Sequence, residues 1–183
     1  LAVTYPEAGN LGGGGFMLIH LAEEDRQTLI DYRDTAPAAA TRDMFLDAQG
    51  NLDHDKEYFS LQAAGVPGTV AGLLYALEKY GTLSREQVLA PAIALAAQGL
   101  TVSFGLNYEI TASAQQLRKN PAAAQLFFRA DGSPYNMGDT WKQPDLAWTL
   151  GAIRDHGQDG FYTGEVARRI TAEMAAADGL ITA

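Results

Sequence analysis

The chain has 183 residues, with 13 Lys and Arg against 22 Asp and Glu, and a net charge of −9. Such an acidic surface repels phosphate backbones and argues against a nucleic-acid partner, and no apolar run approaches the roughly 18 residues needed to span a bilayer. Cysteine is absent, which excludes disulfides, thiolate nucleophiles and Cys-ligated zinc. Hydrophobic residues at 47% and charged residues at 19% give a globular balance.

The first third reads as β. Gly12-Gly13-Gly14-Gly15 leads into the apolar run Phe16 to Leu21, and after a polar loop, Ala22 to Arg26, comes Gln27 to Arg33. Two such runs predict an antiparallel hairpin. Their nearly continuous apolar character predicts burial on both faces. Asp34 to Ser60 is rich in charge and turn formers and reads as irregular, with one helical turn near Asp43.

From Pro67 the pattern turns helical. Val70, Leu73, Leu74 and Leu77 make one stripe that Gly81 ends. Ser84 with Gln87 fits a capping box for a second helix through Pro91, closed by Gly99. Ser103 caps a third, whose apolar side runs from Leu106 and Ile110 to Ala114 and Leu117. Pro121 starts a fourth, and Asp131-Gly132-Ser133-Pro134 is a turn. Pro144 opens a fifth, ended by Gly157, and Gly164 to Ala177 makes a sixth with Val166, Ile170 and Met174 spaced by four. The fold class is α+β, mostly helical with one hairpin near the N-terminus. A lone hairpin is not a stable sheet. The expectation is therefore a single segment, residues 1–183, truncated at both ends, with its partner strands outside it.

The glycine run does not read as a phosphate loop. It precedes a strand instead of opening a helix, and no Lys follows it. Gly12, Gly13, Gly14 and Gly15 are read as structural, at a backbone crossing where a Cβ would clash. His20, His54 and His156 have no partner at metal-ligand spacing, and His54, between Asp53 and Asp55, reads as part of a solvated acidic loop. No Gly-x-Ser-x-Gly elbow occurs. The residues therefore offer no metal site and no catalytic nucleophile. Arg33-Asp34 remains, at the end of a strand. One reading is a surface Arg paired with Asp34 or Asp31. The other is a guanidinium that grips a substrate carboxylate with its planar fork.

Several stretches resemble one family in the order that family shows them. They are Pro6-Glu7-Ala8-Gly9-Asn10-Leu11-Gly12-Gly13-Gly14-Gly15-Phe16-Met17-Leu18-Ile19, Tyr32-Arg33, Ala36-Pro37, Thr41-Arg42-Asp43-Met44-Phe45, Gly65-Val66-Pro67-Gly68-Thr69-Val70-Ala71-Gly72, Gly160-Phe161-Tyr162-Thr163-Gly164 and Gly179-Leu180-Ile181-Thr182. Together they are similar to the large subunit of bacterial γ-glutamyltranspeptidase. That resemblance implies part of a four-layer αββα N-terminal-nucleophile hydrolase. A single precursor cuts itself into two subunits. The new N-terminal Thr of the small subunit attacks a γ-glutamyl amide such as glutathione, and water or an amino acid takes the glutamyl group. It implies no cofactor, the small subunit of the same precursor as partner, and a periplasmic or secreted location. It assigns the α-carboxylate of the γ-glutamyl group to Arg33. The family often has Glu where this chain has Asp34, and the nucleophilic Thr lies outside this chain. Two other readings stand beside it: a cephalosporin or glutaryl acylase of the same family, and a non-catalytic truncated scaffold.

Overall fold

The structure is a computed structural model and describes residues 1–9 and 11–183; Asn10, at the head of the glycine-rich stretch, lies outside the described residues. Strand β1 (Phe16–Leu21) pairs antiparallel with β2 (Arg26–Asp31), Leu18 facing Leu29 across the ladder. The connection is a 3-10 turn, Ala22–Glu24, closed by Asp25 in the left-handed region at φ 42°, a conformation that Asp tolerates better than most residues. The ladder runs one pair further: Tyr32 N donates to Gly15 O at 2.9 Å, and Gly15 N to Tyr32 O at 3.3 Å.

The expected burial of both hairpin faces is not met within this chain. Met17, Ile19 and Ile30 are half-buried, and β2 runs beside helix α2 (Thr69–Tyr80). On the other face Phe16, Leu18 and Leu29 are 58%, 70% and 61% exposed. The register places Phe16, Leu18 and Leu29 together on that side.

Asp34 to Ser60 is less irregular than its composition suggests. Turns at Arg42–Phe45 are followed by a short helix, α1 (His54–Phe59), capped by Asp53, whose Oδ1 accepts from Lys56 N at 3.0 Å. The acidic loop expected around His54 is thus a helix start, where carboxylates are favoured. Six residues are too few to show a period.

Helix α3 (Arg85–Gln98) begins with the expected capping box of Ser84 and Gln87 and runs through Pro91. The third predicted helix is divided at Ser113 into α4 (Phe104–Ala112) and α5 (Ala114–Leu117). Ser113 sits at φ −91°, ψ 4°, in the bridge region between helix and strand. Then come α6 (Pro121–Phe127), capped by Asn120, and α7 (Pro144–His156), ended by Gly157 at φ 64°. A four-residue helix, α8 (Asp159–Tyr162), precedes α9 (Gly164–Ala176). Two residue pairs join β3 (Leu100–Thr101) to β4 (Thr140–Trp141). Neither α8 nor this two-residue ladder carries a sequence pattern long enough to detect.

The core forms where α2, α3, α7, α8 and α9 meet. Val70, Ile153, Phe161 and Val166 are buried together, and Val3, Ala96 and Leu150 form a second cluster. Burying each Val, Ile, Leu or Phe contributes about 1.5–3 kcal/mol. Gln143 ties the N-terminal segment to this core: its Nε2 donates to Val3 O at 2.8 Å, and its backbone N–H donates to Ala96 O at 2.9 Å. Trp141 is fully buried, stacks on Phe127, and donates from Nε1 to Leu126 O at 2.9 Å. The fold is α+β, mostly helical, with the hairpin at one end.

Candidate functional site

Strand β2 leads straight to Tyr32-Arg33-Asp34. Arg33 N donates to Asp31 Oδ1 at 3.0 Å, an Asx-type turn that ends the strand. The Arg33 side chain is 66% exposed, and its Nε donates to Asp34 Oδ1 at 2.9 Å. Asp34 thereby occupies one edge of the guanidinium. The terminal nitrogens have no hydrogen-bond acceptor among the described residues. A fork held from its Nε edge and open at its tip can take a carboxylate end-on. The Arg33–Asp34 pair raised by the sequence is present, and it leaves the outer guanidinium face in solvent.

The backbone beneath Arg33 is a crossing of three segments. Gly13 O accepts from both Gly68 N and Thr69 N at 3.0 Å. Gly14 lies against the strand end, where a Cβ would collide with Asp34 N and Tyr32 O. A Cβ on Gly15 would reach the Tyr32 ring at 3.1 Å, and one on Gly68 or Gly72 would collide with Tyr32. Neither Gly14 nor Gly15 has a positive φ, so space, and not backbone sign, requires glycine at Gly14, while a side chain at Gly15 would have to displace the Tyr32 ring by a few tenths of an ångström. Gly13 serves through its carbonyl. Gly12 precedes this crossing on the same run.

The segment Gly65 to Ala71 forms the other wall. Val66 and Thr35 exchange backbone hydrogen bonds, at 2.8 Å from Val66 N and 3.3 Å from Thr35 N. Gly65 lies against Asp34, where a Cβ would strike the carboxylate. The segment is held from behind by Tyr162, whose hydroxyl donates to Pro67 O at 2.9 Å and accepts from Ala71 N at 3.1 Å. Burial pushes the Tyr162 phenol above its ordinary pKa. Sequence reasoning singled out Arg33, Asp34 and the glycines, and raised Asp31 as a partner for the Arg33 side chain; Asp31 instead accepts from the Arg33 backbone N–H, and Gly65 and Tyr162 were given no role. Tyr162 bonds only to main-chain atoms, which leave no mark in the sequence.

Two larger concavities lie elsewhere. One, about 530 Å³, lies between the end of α7 and the start of α9, and its wall includes Asp155, Asp159 and Glu165. Three carboxylates there disfavour an anionic substrate, and Arg154 is already bound to Asp155 at 2.7 Å. The other, about 460 Å³, is mainly apolar and lies between Thr4–Glu7 and α4–α5. Neither is lined by Arg33. Among the described residues, no three His, Asp or Glu side chains converge on a metal-sized site. His20 lies on the exposed hairpin face, His54 contacts Glu57 at 3.1 Å, and His156 ends α7.

A family model described as gamma-glutamyltranspeptidase matches residues 1–183. The chain is 47% identical over 182 residues to the glutathione hydrolase proenzyme of Escherichia coli (strain K12), covering all of this chain and 31% of that protein. It thus spans about a third of the length of the curated relatives it matches. The crystal structure of Helicobacter pylori gamma-glutamyltranspeptidase superposes with a TM-score of 0.97 at 42% identity, over 100% of this chain and 52% of that one. The cephalosporin acylase of Bacillus halodurans superposes with a TM-score of 0.82 at 22% identity, over 100% of this chain and 34% of that one. That likeness is one of fold.

Proposed function

The chain belongs to the γ-glutamyltranspeptidase family, and from that premise we propose that it is one segment of the large subunit of an enzyme that cleaves γ-glutamyl amides such as glutathione. The observation that carries this reading is Arg33: a strand-end guanidinium gripped on its Nε by Asp34, with its outer face open. That face fits the α-carboxylate of a γ-glutamyl donor with two parallel, charge-assisted hydrogen bonds. The nucleophile is supplied by the small subunit of the same precursor, an N-terminal Thr freed by self-cleavage. Its hydroxyl attacks the γ-carbonyl while its own α-amine takes the proton. That proton passes to the nitrogen of the donor's leaving amine, the amide C–N bond breaks to give an acyl-enzyme ester, and water or an amino acid then takes the glutamyl group. This segment contributes substrate positioning and no nucleophile, and the scheme needs no cofactor.

The same subunit is proposed to cover the open hairpin face, completing the αββα layers. The reading also places the full-length protein in the periplasm or outside the cell. A glutaryl acylase could use the same guanidinium, but 47% identity to a glutathione hydrolase proenzyme against 22% to the acylase supports the γ-glutamyl reading.

The test is Arg33→Ala and Arg33→Lys in the full-length protein, assayed with a chromogenic γ-glutamyl anilide. Removing one partner of a desolvated charge pair costs about 2–5 kcal/mol, on the order of 30- to several-thousand-fold in kcat/KM. Lys keeps the charge but loses the fork, so it recovers little. Self-cleavage persists in both variants. A donor without the α-carboxylate is hardly affected by Arg33→Ala; equal losses for both donors would show that Arg33 shapes the fold instead of reading the substrate.

A further inference from the structure

We infer that Tyr162 is a positioning residue for the Arg33 carboxylate anchor, acting through the Gly65–Ala71 segment; the inference rests on the reading of Arg33 as that anchor. Helix α2 starts without a cap of its own, because its N-cap is Gly68, which has no side chain to offer. The first N–H groups of any helix need partners from outside it. Here they come from far away in the sequence. Gly13 O takes Thr69 N, and the Tyr162 hydroxyl takes Ala71 N from 91 positions downstream. The hydroxyl's own proton goes to Pro67 O. One phenol therefore satisfies both a donor inside the helix and an acceptor in the segment leading into it. This fixes the angle at which Gly65-Val66-Pro67-Gly68 meets α2.

That angle reaches the anchor by short steps. Val66 is paired to Thr35, next to Asp34, and Gly65 lies against the Asp34 carboxylate. Asp34 in turn holds Arg33 Nε. The ring of Tyr162 is clamped as well, edge-on to buried Phe161 at 5.0 Å between centroids and 82° between planes. Phe161 belongs to the same cluster as Val70 of α2. The helical core therefore bears on the aim of an otherwise exposed guanidinium, and the Tyr162 hydroxyl is the side-chain link between them. A bidentate contact is sensitive to such aim, because both of its bonds must align at once.

The experiment is Tyr162→Phe in the full-length protein, which removes the hydroxyl and keeps the ring. KM for a γ-glutamyl anilide should rise about 3- to 10-fold, as expected for a lost neutral hydrogen bond, with kcat within twofold. A donor lacking the α-carboxylate should show no change. In an Arg33→Ala background, Tyr162→Phe should add nothing further. Hydrogen exchange at the Thr35 and Val66 amides should speed up, and this is readable on the precursor whether or not it processes. Equal loss of kcat/KM for both donors, or unaltered exchange at Thr35 and Val66, would overturn the inference and leave Tyr162 as a cap for α2 alone. An Arg33→Ala variant with unchanged KM would instead overturn the anchor reading beneath it.

Discussion

Gly14 has no room for a side chain. A Cβ there meets backbone on the neighbouring strand end, Asp34 N and Tyr32 O, which cannot swing away as a flexible side chain would. Gly14→Ala in the full-length protein should cost about 1–3 kcal/mol or more by overpacking, seen as a lower urea midpoint and a smaller soluble yield. Gly132, in an open turn with nothing within 4 Å of a Cβ, is the control for glycine loss without crowding, its positive φ costing only local strain. At this scale the sequence was partly legible. A glycine run before a strand, with no Lys after it, pointed to crowding and not to phosphate. What crowds it was not legible, since Tyr32 to Asp34 and Gly68 arrive from other segments. Arg33 could be placed at a strand end from pattern alone, where a carboxylate grip was one of two open readings; the resemblance, and not the pattern, favoured that one.

Helix α9 carries an ionic device in its first turn. Glu165 accepts from Arg168 Nη at 2.7 Å and from Arg169 Nε at 2.9 Å. These bonds, Arg168's first and then Arg169's, hold its carboxyl down to about 2 from an ordinary 4.5. The folded value is the lower one, so the contribution to stability is complete above about pH 4.5 and is lost as pH falls toward 2. The group is exposed, so the effect is small and shrinks with salt. Glu165→Gln should lower the urea midpoint at pH 6, and the gap to wild type should shrink steadily as pH falls from 4.5 toward 2; a gap independent of pH would mean that the carboxylate charge is not the source. Long elements were legible because several signals agreed. For α3, Ser84 and Gln87 gave the start and Gly99 the stop. The failures were short elements, α1, α8 and the β3–β4 pair, and the break at Ser113, where an apolar stripe continued across a change in backbone direction. Tertiary contact decides those.

At the scale of the whole molecule, the hairpin leaves one face open. Phe16, Leu18 and Leu29 present an apolar face to solvent, whereas Val70, Ile153, Phe161 and Val166 are buried together among the helices. Alternation of side chains would have revealed a one-sided strand, but here apolar residues occupy both sides, so the sequence signalled two buried faces of which this chain covers one. If the proposed small subunit covers this face, Leu18→Lys in the full-length protein should reduce the yield of the processed two-subunit form several-fold, while the same change in the 183-residue chain should lower its binding of a hydrophobic dye. On the proposed reading, which places the nucleophilic Thr in the small subunit, the 183-residue chain by itself should show no γ-glutamyl transfer above a buffer blank. The long reach of Tyr162 has a further consequence, for synthesis. Ribosomes add roughly 5–20 residues per second. Ala71 and Tyr162 are 91 positions apart, so the start of α2 leaves the tunnel on the order of ten seconds before its cap. Throughout that interval the apolar stripe of α2 is translated but unanchored, and a chaperone that shields it has a defined window in which to act.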